Sequence, residues 1–392
     1  MQRLVFHASF DHLAILISVA LAFCPTSRAQ ASSASMPGQT GQSVQLQQSL
    51  EPLSSEAELR TGIEMTRRGL FSEAIPHFLA AEGHVSDEYA AKFNLALCYV
   101  GTAQFAQAIR ILVMLRSSGH SDANVENLLA QAYIGGDQPE AAFEALQRAA
   151  ALAPKNEKLY LLTADACADR QNYGLGVRMV DLALRQLPDS ARLHYHRGYF
   201  LSMLDQLDDA KPEFDLAAAL APHTDIAFLA GAQKSFLAGN LAEAIRIGRA
   251  AALEGHDNYV SLTILGEALI RSGARPGQPD FKEAESALSK AIAERPAYAS
   301  SQVAMGYLLL LDNRVEPAVE HLEKGRQLDP RNPSIYSQLA VAYRKLGKQQ
   351  QSDAMLAALA QLNAEQAARI NSAPGERKAI PGRAADVERI RP

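Results

Sequence analysis

The stretch ARLHYHRGYFLSMLDQLDDAKPEFDLAAALAPHT, residues 191–224, decides the fold. It holds two amphipathic runs, Leu193 to Met203 and Asp208 to Leu220, joined by Asp205-Gln206-Leu207. Their apolar residues recur at three- and four-residue steps, the period of a helix with one buried face. Ala221-Pro222 ends the second run, as a proline just past a helix should. The unit is therefore a helix pair. One such pair cannot hide its own apolar face, so it needs neighbours.

The neighbours are present. Ala74, Ala108, Ala142, Gly176, Ala210, Ala244, Ala284, Ala318 and Ser352 follow one another at 34-residue steps, except for a 40-residue step from Ala244 to Ala284. Pro154, Pro188, Pro222, Pro296 and Pro330 keep the same beat. Starting each unit 19 residues before its small residue gives the windows 55–88, 89–122, 123–156, 157–190, 191–224, 225–258, 259–298, 299–332 and 333–366. Positions are counted below from the first residue of each window. A spaced repeat of this length predicts an all-α solenoid, in which each unit packs only on the next and a chain of 392 residues avoids the size limit of a single core.

Five position classes stay in phase. Position eight is small: Gly62, Ala96, Ala130, Ala164, Gly198, Ala232, Gly266, Gly306 and Ala340. Position twenty holds the nine residues already given. Positions eleven, seventeen and twenty-four are bulky and apolar in most units, with Ser235, Pro139, Gln349 and Gly248 as departures. Gly248 is expected to leave a gap. Pro76 and Pro212 are expected at the third or fourth residue of their helices, where proline costs less. The pattern resembles the tetratricopeptide repeat of the exported bacterial type over 312 residues, although the tryptophan that family places at position four is absent throughout. Tyr160, His194, Phe228, Leu262 and Tyr336 stand there, and Glu58, Lys92, Glu126 and Gln302 do not resemble it.

The resemblance implies a right-handed superhelix of about nine helix-turn-helix repeats. First-helix positions two, five, nine and twelve then line its concave face. The expected peptide-binding groove contains Asn127, Gln131, Lys158, Asp165, Arg192, Tyr195, Tyr199, Phe236 and Tyr307. Aromatic anchors among a few polar groups suit an extended or helical peptide. Some relatives bind carboxylate-ended peptides through Lys, Asn and Arg on three consecutive first helices. Asn94 and Arg60 alone do not rebuild that cluster, so this specificity is not carried over.

Around the array, residues 1–29 read as a signal peptide. Arg3 precedes the apolar run Leu13 to Phe23, and Ser27-Arg28-Ala29 is a small-x-small cleavage site leaving Gln30 first. An exported protein, periplasmic or extracellular, follows; an uncleaved signal would anchor it to a membrane. Residues 30–54 read as a flexible linker, and 367–392 as the end of a capping helix and a disordered tail. Ala274 to Pro279 inserts a surface loop between the helices of the seventh repeat. Cys98 and Cys167 lie on first helices two repeats apart, too far to bridge, and are expected as small buried apolar residues.

A formal net charge of -5 gives no basic footprint for nucleic acid. His194 and His196 point apart on a helix and share no metal. No metal, phosphate-loop or nucleophile-elbow motif occurs, and no cofactor is expected. The expected function is an exported, non-catalytic scaffold that binds a protein or peptide of a cell-envelope complex. The alternatives are a self-assembling homo-oligomer, joined through the array ends or Leu308 to Leu311, and a hydrolase or carbohydrate-acting protein using Asp165 and Glu267.

Overall fold

The computed structural model describes the backbone of residues 42–372 and the side chains of residues 54–365. The signal at 1–29, the first part of the linker and the tail from 373 lie outside the described residues. Among the described residues there are eighteen helices and no strand. The order is α1 Gln42–Arg67, α2 Phe71–Ala81, α3 Glu88–Gly101, α4 Phe105–Ser117, α5 Ala123–Gly135 and α6 Pro139–Leu152. Next come α7 Glu157–Asp169, α8 Tyr173–Leu184, α9 Ala191–Met203, α10 Leu207–Leu220, α11 Asp225–Leu237 and α12 Leu241–Glu254. The last six are α13 Tyr259–Arg271, α14 Pro279–Glu294, α15 Ala299–Leu311, α16 Val315–Leu328, α17 Pro333–Lys345 and α18 Gln349–Ser372. Odd-numbered helices are the first members of the pairs.

Two compact units divide after Ser272, at the start of the insertion loop. The first holds α1–α13. There each helix packs on its chain neighbours, and each first helix also packs on the next first helix, as α5 does on α7 and α11 on α13. The second unit holds α14–α18 and repeats the arrangement, with α15 against α16 and α17.

The small residues act where the pattern places them. A Cβ built on Gly198 would lie 3.0 Å from Phe214 and 3.2 Å from the Ala210 carbonyl oxygen. One built on Gly306 would meet Leu322 at 2.6 Å and the Ala318 carbonyl oxygen at 3.2 Å. The Ser352 hydroxyl donates to the Ala340 carbonyl at 2.9 Å. Position eight thus touches positions twenty and twenty-four of its own repeat, with no room for a larger side chain.

Three expectations need correction. Helix α1 begins at Gln42, inside the stretch read as linker; its Gln- and Leu-rich run has no glycine to oppose helix. Pro76 and Pro212 are the sixth residues of α2 and α10, because these helices start at position seventeen. Gly248 leaves no gap: Leu265 of α13 fills the space, 3.1 Å from where a Cβ would stand. The departing Pro139 sits at the first position of α6, where its missing N–H costs nothing.

A further class is structural. Position fifteen, in the turn within each pair, takes a left-handed backbone in every repeat: Gly69, Ala103, Asp137, Gln171, Asp205, Gly239, Gly273, Asn313 and Gly347. Just beyond it, a 2.7 Å bond from Gln104 N–H to the Tyr99 carbonyl closes the helix end in the Schellman manner. Ala103, at φ 58°, has no side-chain reason to be there. Ala103→Gly is expected to stabilise the protein by about 1 kcal/mol, because the strain removed exceeds the added chain entropy. The urea midpoint measures it, and a lower midpoint contradicts the account.

Candidate functional site

The first helices are held side by side by polar links from each repeat to the next. Position thirty-four caps the following helix: Asp122, Ser190, Asn258 and Asn332 accept backbone N–H bonds in the first turns of α5, α9, α13 and α17. Position one then ties to the next cap. The Tyr89 hydroxyl donates to Asp122 at 2.6 Å, and the Ser190 hydroxyl donates to Glu157. Burial, with the Asp122 carboxylate beside it, pushes the Tyr89 phenol well above its usual range.

Position four carries a second link that the sequence pattern did not reveal. The Tyr160 hydroxyl donates to the Pro154 carbonyl at 3.1 Å, and Tyr336 to Pro330 at 2.7 Å. Gln302 Nε2 donates to Pro296 at 2.8 Å, and His194 Nε2 faces the Pro188 carbonyl oxygen at 2.8 Å. In four repeats, then, the proline six residues upstream offers its carbonyl to position four. The same position also bonds within its repeat: Glu58 to His77 at 2.5 Å, His194 Nδ1 to Glu213 at 2.7 Å, and Gln302 to His321 at 2.7 Å. Burial, with Lys324 nearby, lowers the His321 imidazole below its ordinary value. Glu126, fully buried, accepts from Arg148 at 2.8 Å. Glu58, Glu126 and Gln302, which looked foreign to the tryptophan position, therefore make hydrogen bonds in its place, whereas Lys92 pairs with Glu88 of its own helix.

On this frame the expected groove residues fall into distinct settings. Asn127 and Gln131 are buried and bonded: Asn127 Nδ2 donates to the Leu159 carbonyl at 2.6 Å, and Gln131 Nε2 donates to Asn127 Oδ1 at 2.8 Å. They staple α5 to α7 along a narrow cleft lined by Phe93, Leu97, Asn124, Leu128 and Leu162. Lys158 is half-buried, and that burial lowers its ammonium below the usual value; Arg192 is exposed.

Asp165, Tyr195, Tyr199 and Phe236 were expected on an open wall and are instead enclosed, Tyr195 and Tyr199 at 0 % exposure. The Tyr195 ring lies 5.7 Å from that of Phe214, and Tyr199 lies 6.3 Å edge-on to Tyr173. Asp165 faces His196 at 3.7 Å. The Arg271 guanidinium sits 4.4 Å above the Phe236 ring. In the second unit Tyr307 on α15 and Val341 on α17, both at position nine, are 39 % and 38 % exposed.

Position nine is half-buried at Ile63 and buried from Leu97 onward in the first unit. Gln131, Asp165, Tyr199, Gln233 and Glu267 all stand there in the first unit and all are buried. Burial raises the Glu267 carboxyl to about 8, against an opposing effect of Arg271.

Among the described residues, no three His, Cys, Asp or Glu side chains come together as metal ligands, and no helix is long and apolar enough to cross a membrane. Both nitrogens of His194 already face oxygen atoms. Cys98 and Cys167 are buried free thiols, and burial pushes Cys98 up to about 11. Leu308, Leu309 and Leu310, read as a patch for self-assembly, are core residues, because α15 turns them toward its neighbours.

Residues 66–132 match a family profile described as tetratricopeptide repeat. Solved structures similar to this chain include yeast Tom70, at 18% identity and a TM-score of 0.47 over 83% of this chain and 82% of that one. Another is a tetratricopeptide repeat protein from Parabacteroides merdae, at 17% identity and a TM-score of 0.48 over 65% of this chain and 98% of that one. A third is a thermophilic TPR protein of Thermus thermophilus, at 23% identity and a TM-score of 0.40 over 47% of this chain and 97% of that one. The chain has no significant match among curated proteins.

Two stability predictions follow from this geometry. Phe228 holds position four six residues after Pro222 and has no donor. Phe228→Tyr is expected to supply the missing bond to the Pro222 carbonyl and stabilise the protein by about 1 kcal/mol, whereas Tyr336→Phe loses a similar amount. Thermal melts of the two variants test the link at position four, and equal shifts of one sign contradict it. Separately, native Glu267 keeps its proton to about pH 8, whereas the unfolded chain releases it near 4.5. Its contribution is therefore full below pH 4.5 and declines as pH rises toward 8, at up to about 1.4 kcal/mol per pH unit. Glu267→Gln should remove that decline in urea titrations between pH 5 and 8.

Proposed function

With a chain built of tetratricopeptide repeats as the premise, we propose that this protein is an exported, non-catalytic scaffold that holds a peptide segment, or a subunit of a cell-envelope complex, against the faces of its first helices. Repeats of this kind are scaffolds for protein–protein interaction; the export, the envelope partner and the choice of face are the finer reading.

One observation carries the choice of face. Within the first unit, side chains at positions two, five and nine of α3 and α5 line one cleft; within the second, position nine reaches solvent. Phe93, Leu97, Asn124, Asn127 and Gln131 line one cleft, and Tyr307 and Val341 stand exposed at the same register on α15 and α17. Arg344, one turn beyond Val341, is also exposed. An exposed aromatic residue, an aliphatic neighbour and a cation form an anchor set for an apolar peptide bearing acidic groups. The signal-like start, with its apolar run and small-x-small site, supports export. Asp165 and Glu267 are both buried, which leaves the hydrolase alternative without an accessible acid pair.

Tyr307→Asp with Val341→Asp is the informative double change, because both side chains reach solvent and the fold should tolerate it. Crosslinked envelope partners should fall at least tenfold, with the melting temperature moved by no more than a few degrees. Unaltered crosslinking with the fold intact rejects this face. Mass spectrometry of the mature amino terminus should find Gln30 first; an intact Met1 in the mature protein rejects the export reading.

A further inference from the structure

We propose that the junction of the fifth and sixth repeats binds a small apolar acid, with its chain in a cavity between α10 and α11 and its carboxylate at Lys211 and Lys234. The inference goes beyond the first-helix face argued above and uses none of its residues.

The cavity has a volume of about 200 Å³. Leu207, Ala210, Phe214 and Leu237 form its apolar wall, and Lys211 and Lys234 are its two charged members. Its origin lies in the register. Position ten of a first helix packs against position twenty of the repeat before: a Cβ built on Gly176 would stand 2.7 Å from the Phe200 ring. Position ten is buried and uncharged at Cys98, Ala132, Phe200, Ala268, Leu308 and Ala342. In the sixth repeat it is Lys234, which shares the cavity wall with Ala210 at position twenty of the fifth. The Lys234 ammonium reaches Asp215 of α10 at 2.5 Å, and its side chain is 36 % exposed. A side chain drawn out to an ion pair does not fill the contact that Phe200 fills one repeat earlier. The cavity is the space left behind.

Wall and charge together choose the occupant. Leucine, phenylalanine and alanine side chains favour an apolar group, as the Phe200 ring shows at the equivalent place. At roughly 30 Å³ for each water-sized group, the cavity holds about six of them, the size of one side chain or one short acyl chain. The charges select an anion. Lys211 meets Asp208 at 3.3 Å and Lys234 meets Asp215 at 2.5 Å. An ammonium carries three donors, so each pair leaves N–H groups for a further oxygen. Asp208 and Asp215 are themselves exposed, and exposed pairs of this kind are weak competitors. A carboxylate on an apolar chain therefore suits the wall and the lysines at once. An amine is repelled by both lysines, and an acid without a chain leaves the wall uncovered. The acid can be a free fatty acid or the carboxyl-terminal apolar residue of a peptide; both present the same pair of groups.

The test titrates the full chain with hexanoate, which mimics a fatty acid, and with N-acetyl-leucine, which mimics a peptide end. Acetate lacks the chain, hexanol lacks the charge, and hexylammonium reverses it. The NMR methyl resonances of Leu207 and Leu237 report binding. At least one of the two acids should give a saturable shift, at least tenfold tighter than the three controls, and the preferred acid identifies the source. Lys234→Leu places at position ten the residue type that Leu308 provides in the eighth repeat. It should fill the cavity, weaken acid binding at least tenfold and leave the melting temperature equal or higher. Lys211→Gln and Lys234→Gln, which remove one charge and keep the cavity open, should each weaken acid binding at least threefold. Shifts that stay linear with both acids, hexanol bound as tightly as hexanoate, or acid binding kept in folded Lys234→Leu would each overturn the assignment. If a variant does not fold, the parent titrations alone decide it. Tyr307→Asp with Val341→Asp should bind the acids as the parent does, so this site and the first-helix face stand or fall separately.

Discussion

The close approach of the two helices in each pair is the constraint on which the rest depends. At Gly198 and Gly306 a backbone carbonyl of the second helix lies 3.2 Å from where a Cβ would be. At these two positions even a methyl group crowds its neighbours, and elsewhere positions eight and twenty hold only Gly, Ala or Ser. With the pair this tight, position twenty-four reaches under position eight, and the apolar faces that remain must be buried by the next pair. The 34-residue beat is the sequence trace of that geometry. The same stacking brings one first helix against the next, so that a single register becomes a row of side chains crossing several repeats.

Repeats must also be joined at a defined angle, and here polar contacts take over. Position four reaches back to the carbonyl of the proline that ends the preceding repeat, and position thirty-four caps the helix that follows. A proline is well suited to this place. It stops the helix, and its free carbonyl then faces whatever donor stands six residues on. Tyrosine, glutamine and histidine all meet the requirement. The family's tryptophan is therefore replaced by several residue types that share a donor at the right reach.

Much of this was legible in the sequence, and the failures have physical causes. The small residues at positions eight and twenty were readable because sterics admit few residue types there. The left-handed turn at position fifteen was not, since Ala103, Gln171 and Asp205 carry no glycine signature and owe their backbone to the helix ends around them. Gly248 looked like a void because the reading stayed within one repeat, whereas the filling side chain, Leu265, comes from the next. Periodicity gives the direction in which Tyr199 or Tyr307 points but not what covers it. One is wholly buried and the other 39 % exposed at the same register.

That last contrast bears on how such a scaffold acquires specificity. Position nine is structurally equivalent along the array, yet it holds Gln131, Asp165, Tyr199, Gln233 and Glu267 in succession. The packing that sets the repeat uses positions eight, twenty and twenty-four, none of which shares a side chain with this row. Sequence can therefore vary along the row without disturbing the pairs. Gln131 is satisfied by Asn127 of its own helix, whereas the unmet polar atoms of Gln233 and Glu267 have no such neighbour. Chemistry in this architecture is thus local: each repeat contributes its own side chain to the row, and the packing of the pairs fixes only the spacing between contributions.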